Sequence, residues 1–197
     1  MSQLLPQLYL VRHGETDWSA SHRHTGRTDI PLNAHGEAMA KLLAERLRGL
    51  RFDHVFTSPL RRARRTCELA GLAATAQVDP DLLEWDYGAF EGRVTADIER
   101  ERPGWDLFRD GGPGGELPND VGVRADRFLT RDRQIDGSVI AFASGHIIRV
   151  IAARWLGLPP SGGRYLFCST ASIGILGYEH DLTDPVLRRW NDDGALT

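Results

Sequence analysis

Arg12-His13-Gly14 directly follows QLYLV (residues 7–11), an apolar run that reads as a first strand. Two polar side chains at the end of a buried strand are costly unless something there uses them. An imidazole beside a guanidinium, with a glycine permitting close backbone approach, suits attack on a phosphoryl group. Neutral imidazole is a usable nucleophile near pH 7, and the phosphohistidine it forms divides one hard displacement into two easier ones. The plainer alternative is a histidine satisfied locally at a strand end. Glu84 stands among Leu83, Trp85 and Tyr87. Partial burial beside a phosphate dianion would raise its pKa, and a carboxylic acid kept protonated can donate to a leaving alkoxide. A glutamate that merely closes a strand is the competing reading. In SPLRRARRT (58–66) the four arginines cannot all face one way on a helix. Arg62 falls one turn from its N-terminus, where backbone amides favour an anion. Taken alone, RRARR is a solvated face or a weak nucleic-acid patch.

These residues need elements to hold them. Asn33 can cap a helix in which Met39, Leu42, Leu43, Leu47 and Leu50 recur at helical spacing. FDHVF (52–56) reads as a second strand, and Ser58-Pro59 opens a helix that stops near Gly71. A Gly/Pro-rich stretch at 104–118 precedes a helix near 119–131. Val139–Ala143 is a buried strand that leads through small residues and His146 into the helix IIRVIAARWLG. YLFCS (165–169) and SIGILGYEH (172–180) are late strand candidates. Strands alternating with helices predict an α/β fold, a sandwich with a largely parallel sheet. In such folds ligands meet the carboxyl ends of strands, where His13, Ser144 and His146 fall. The 93–118 region reads as an inserted lid over the site.

The chain has 197 residues, 41% apolar and 26% charged, which suits one domain over residues 1–197. No window reaches the roughly 18 apolar residues of a membrane span, and the N-terminus does not read as a signal peptide. Cys67 and Cys168 make no disulfide framework and suit a reducing cytoplasm. A net charge of −3 gives no general attraction to nucleic acid or membrane. Lys41 is the single lysine, which excludes a Walker-type phosphate lysine. Phosphate would have to be held by arginine forks and backbone amides. His22-x-His24 has no carboxylate or thiol partner placed by the sequence, so no metal site is expected.

LVRHGETDW, GRTDIPLNAHGEAMA, SPLRRARRT, LEWDYGAFEG and GHIIR, in this order, resemble the histidine phosphatase (phosphoglycerate mutase-like) superfamily over nearly the whole chain. The resemblance implies a three-layer α/β/α sandwich, no metal or other cofactor, and a small phosphorylated substrate. It implies His13 as nucleophile, Arg12 and Arg62 as the clamp on the phosphoryl group, and Glu84 as general acid. It sets Ser19, Thr25, Gly26, Gly145 and His146 against the substrate. HTGRTD, LFRDGGPGGE and the tail GILGYEHDLTDPVLRRWND are similar to a sugar-phosphate phosphatase subgroup, the sedoheptulose-1,7-bisphosphatase-like branch, and favour net hydrolysis over mutase transfer. Oligomeric state is not legible.

One block departs from the family. Its last motif carries a second histidine before the glycine; aligned on Gly145 and Arg149, this chain has Ser144 there. Loss of one preorganised donor to the transferring group costs about 10²–10³ in rate. Ser144 is thus an engineered change, a natural variant that still turns over, or the mark of a weak phosphate-ester binding protein. His146, two residues on across a glycine, is not expected to fill the vacated space.

Overall fold

The computed structural model describes residues 5–194. Strand β1 (Gln7–Arg12) sends Leu8 and Leu10 into one apolar cluster and Val11 into another. Apolar residues at both parities are what a strand covered on both faces requires. Helix α1 (Asp17–Ala20) follows, capped by the Thr16 hydroxyl, and then α2 (Ala34–Arg46), where Asn33 Oδ1 accepts from the Gly36 amide at 2.8 Å. Strand β2 (His54–Thr57) leads to α3 (Arg61–Leu69) and the short β3 (Ala76–Val78). Helices α4 (Thr95–Glu101), α5 (Leu107–Asp110) and α6 (Pro118–Asp132) precede β4 (Ser138–Ala143). Helix α7 (Gly145–Trp155) and strands β5 (Ile173–Tyr178) and β6 (Pro185–Asp192) complete the order.

Among the described residues the strands form one sheet in the order β3-β2-β4-β1-β5-β6. The β3, β2, β4 and β1 pairings are parallel, and β5 and β6 add antiparallel to the β1 edge. Leu43 of α2 and Cys67 of α3 share a cluster with Ile140 and Phe142, while α6 and α7 cover Val139, Ala141 and Ala143 from the other face. This is the α/β/α arrangement expected.

Two late elements differ from expectation. Residues 165–169 are not a strand. A 3₁₀ turn (Pro160–Tyr165) packs on α7, and the following chain leaves Tyr165 82% and Phe167 68% exposed with no ladder partner. The partner of β5 is β6, whose mixed exposure gives no alternation to read. Gly174 and Gly177 make room on β5 for the side chains of Trp190 and Arg188, since a Cβ at either would come within 2.8 and 2.7 Å of them.

The 93–118 segment is packed wall as much as cover. Ile98, Trp105, Leu107 and Phe108 belong to the larger cluster, and Trp105 Nε1 donates to the Gly111 carbonyl at 2.8 Å. Glu116 receives Arg124 Nε at 2.7 Å and the Asp86 amide at 2.9 Å, which ties this wall to the segment carrying Glu84.

Candidate active site

The parallel register pairs Arg12 with Ala143, so the chain leaves β1 and β4 side by side, with His13 and Ser144 next in sequence. The His13 amide donates to the Ala143 carbonyl at 3.0 Å, and its own carbonyl accepts from Ala171 at 3.0 Å. His13 Nδ1 lies 2.7 Å from the Gly14 carbonyl. A carbonyl only accepts, so Nδ1 carries the proton and Nε2 keeps its lone pair. Burial, then the Arg62 and Arg12 guanidiniums, hold this ring well below the ordinary histidine pKa. It is therefore neutral at pH 7. Gly14 is required here: a Cβ would meet the Gly36 carbonyl at 2.3 Å, where α2 crosses the loop.

The two arginines are held differently. Helix α3 turns Arg62 fully inward, leaves Arg61 and Arg64 exposed, and pairs Arg65 with Glu37 and Glu68. Arg62 Nη1 donates to the Thr28 carbonyl at 2.9 Å, Nη2 to those of Thr25 at 3.0 Å and Gly26 at 2.8 Å, and Nε to Ser144 Oγ at 3.2 Å. Most of its fork is spent on the protein. Arg12 has Nη1 on the Cys168 carbonyl, but its buried Nε has no partner among the described residues. Its guanidinium lies over Gly145, where a Cβ would come within 3.1 Å of Nε.

Glu84 is buried and serves as a remote cap for α7. Its Oε1 accepts from the amides of Trp85 and Ile147, each at 2.9 Å, and Oε2 accepts from the His146 amide at 2.9 Å. Burial opposes ionisation, yet the donated amides of Trp85, His146 and Ile147 outweigh it and hold the carboxyl below the usual range. The expected upward shift thus runs the other way with the protein's own groups alone. It needs an anion beside the carboxylate. Because Glu84 takes the amides, Ser144 at the N-cap position makes no capping bond, and its hydroxyl faces Arg62 instead.

His146 does not enter the space beside Ser144. Its Nδ1 is 2.7 Å from the Tyr87 hydroxyl, and we assign that hydroxyl as donor, which leaves the ring proton on Nε2. Burial lowers the pKa of His146 and raises that of Tyr87 well above its ordinary value, so both are neutral. The ring edge faces His24, which burial and His146 push down to about 4.

Arg12, His13, Glu84, Gly145 and His146 line one cavity of about 350 Å³ with Ser19, Thr25 and Arg149. Arg62 and Ser144 lie beneath its floor, fully buried. From the 93–118 segment Thr95 reaches the cavity. Gly26 lies behind this lining. It is not on the wall; its amide is committed to Glu91 Oε1 at 2.8 Å, and its carbonyl holds Arg62. Ser19 is on the wall, but its hydroxyl is occupied by the Thr16 backbone, accepting at 2.8 Å and donating at 3.0 Å. His22, Arg23, His24, Tyr87, Phe167 and Cys168 were not assigned to the site and line it. Only the His-x-His pair and the LEWDYG block hinted at any of them. A larger cavity of about 620 Å³ lies behind α3, away from His13, and holds none of these groups.

A covered, mainly parallel sheet with a neutral histidine, an arginine and a carboxylate gathered at its carboxyl ends is an α/β enzyme site built for an anion. The chain belongs to the histidine phosphatase superfamily (branch 1), whose pattern matches residues 8–193, and it is a phosphatase. It is 40% identical over 178 residues to an acid phosphatase of Mycobacterium tuberculosis, covering 88% of this chain and 87% of that one. It is 36% identical over 191 residues to the sedoheptulose 1,7-bisphosphatase of Saccharomyces cerevisiae, covering 80% and 70%. The solved structure of a Mycobacterium tuberculosis open-reading-frame product superposes with a TM-score of 0.91 at 37% identity, covering 96% of this chain and 98% of that one. Among the described residues no helix is long and apolar enough to cross a membrane.

Proposed function

We propose that the protein hydrolyses a small sugar phosphate through a phosphohistidine on His13. The observation that carries this is the neutral His13 ring, its Nε2 lone pair free, beside Arg12 on the wall of one cavity. In the first step Nε2 forms a bond to phosphorus as the ester P–O bond breaks, and the leaving alkoxide takes a proton from Glu84. A bound dianion beside Glu84 supplies the upward pKa shift that this proton requires. In the second step Glu84 takes a proton from water, the water oxygen bonds to phosphorus, and the N–P bond breaks to release inorganic phosphate and neutral His13. Arg12, with its unpartnered Nε, is the direct clamp on the equatorial oxygens. Arg62 acts from below, chiefly by charge and by holding the Thr25–Thr28 turn.

The sugar reading rests on the wall chemistry. Thr25, Arg23, Arg149, His24 and His146 bring polar side chains suited to hydroxyls and phosphate to this wall. It also follows the similarity to the sedoheptulose 1,7-bisphosphatase of yeast. The chain acts as one domain in the cytoplasm, with 93–118 as a lid-like insertion over the site.

Phosphate release from sugar mono- and bisphosphates, including sedoheptulose 1,7-bisphosphate, tests this, with His13→Ala as the blank. His13→Ala is expected to fall by about 10⁴-fold or more. Ser144→His is expected to exceed the parent by about 10²-fold, which would make the serine a lesion on an ordinary site. A parent that equals Ser144→His overturns the role given to that position. Saturable binding of the phosphate esters without release overturns the hydrolase reading.

A further inference from the structure

At the pole of the sheet opposite His13, the last residue of α6 presents an unanswered charge. Asp132 is only 6% exposed, and its buried Oδ1 accepts no hydrogen bond among the described residues. It borders a cavity of about 290 Å³ between the start of β1 and the end of α7, walled by Trp155, Tyr178, Ile135 and Leu182. Burial pushes its carboxyl up to about 7 against the pull of Arg133.

We propose that this cavity is a binding site for a small organic cation, a primary ammonium, with Asp132 as its counter-ion. Three features choose that chemistry. The carboxylate stands at the C-terminal end of a 15-residue helix, where the helix dipole adds negative potential and repels an anion but favours a cation. The nearest cation is committed elsewhere: the Arg133 guanidinium lies 5.1 Å over the Trp155 ring, with no ion pair to Asp132 among the described residues. The remaining walls are mixed: Trp155, Tyr178, Ile135 and Leu182 can pack an alkyl chain, Gln7 and Gln134 bring side-chain amides whose oxygens can accept from an ammonium, and Asp136 adds a second carboxylate. An inorganic divalent ion would need several more oxygen ligands than one carboxylate supplies. Protonation of Asp132 would remove the charge but leave the apolar walls unfilled. The charged or titratable groups that line the cavity with Asp132 are Arg133 from its own helix end, Asp136 from the turn that follows and Tyr178 from β5; α7 contributes the neutral Trp155.

The test is n-propylammonium chloride titrated at pH 8 into the whole protein, read by the thermal midpoint and by the Trp155 indole N–H resonance, with sodium chloride as the ionic control. At tenfold over its dissociation constant the ligand is expected to raise the midpoint by about 3–5 °C. The indole resonance should shift with the same saturation. Both responses should persist in His13→Ala and vanish in Asp132→Asn. Asp132→Ser serves as a second variant should the amide fold poorly. No response above sodium chloride overturns the proposal, as does an equal response in the Asp132 variants. Loss of the response in His13→Ala also overturns it, since the cation would then sit in the catalytic cavity.

Discussion

The ends of β1 and β4 lie side by side in parallel register, yet each handles charge in its own way. At the β1 end the chemistry is in the side chains. His13 is neutral and aligned by the Gly14 carbonyl, and Arg12 keeps a buried Nε without a partner. Both groups have capacity left for a ligand. At the β4 end the chemistry has moved into the backbone. Ser144 offers a hydroxyl already engaged by Arg62, and the amides of His146 and Ile147 are taken by Glu84, a residue about sixty positions earlier. In the proposed mechanism the β1 end therefore acts on the incoming phosphoryl group, while the β4 end chiefly holds Glu84 and His146 in place. A serine at the β4 end costs α7 nothing, because the cap on that helix comes from Glu84 and not from residue 144.

The strongest way to break this contrast is Glu84→Gln. The amide cannot give a proton, so turnover of an alkyl phosphate is expected to fall by about 10²–10⁴-fold. An aryl phosphate such as p-nitrophenyl phosphate, whose leaving group needs little protonation, should lose much less. The substitution also sets an N–H₂ group against one of the α7 amides, and should lower stability by about 1–3 kcal/mol. Equal losses on both substrates would reduce Glu84 to a cap. The linkage sign follows from its lowered pKa. Its stabilisation is complete above the unfolded value of about 4.3 and is lost as pH falls through the lower folded value.

A pH profile sharpens the same contrast with a smaller effect. His13, His24 and His146 all have lowered pKa values, chiefly from burial. None should gain a proton near the ordinary value of about 6.5. Accordingly kcat/KM is expected to show no acid limb between pH 7 and about 5. A tenfold fall per unit below 6.5 would show His13 titrating as an exposed histidine and remove the neutral nucleophile from the argument. The folding linkage has the opposite demand. An unfolded chain takes protons on these rings below about 6.5 and the folded one does not, so stability falls as pH drops through that range.

The sequence carried the β1 end almost completely, because its signals are local. QLYLV before Arg-His-Gly places a strand and its exit in consecutive residues, and the periodicity of Val139–Ala143 into IIRV does the same for β4 and α7. The four-arginine run also sorted as helical spacing demands, with Arg62 alone turned fully inward. What stayed hidden depends on contacts between distant segments. Glu84 could be read as an acid, but not as the cap of a helix beginning at Gly145. Gly26 carries a family motif, yet its amide belongs to Glu91 and its carbonyl to Arg62. Strand β6 was missed because an edge strand with charged residues and no clean alternation has no period to detect. YLFCS misled for the opposite reason: its aromatic residues have high strand propensity, but they sit at a surface with nothing to pair with.

The finest test addresses whether His146 merely holds substrate or joins the reaction. Tyr87→Phe removes the hydroxyl that donates to His146 Nδ1 at 2.7 Å and leaves the ring free to turn. A neutral hydrogen bond contributes about 0.5–1.5 kcal/mol net, so the expected change is about a 2–10-fold rise in KM. Unchanged kcat with raised KM is the signature of an interaction made equally in the ground and transition states. That result would keep His146 as a substrate contact and leave phosphoryl transfer to the β1 end. A tenfold fall in kcat at constant KM would mean the opposite. The Nε2–H of His146 would then be meeting charge that develops only in the transition state, and the β4 end would share in phosphoryl transfer with the β1 end.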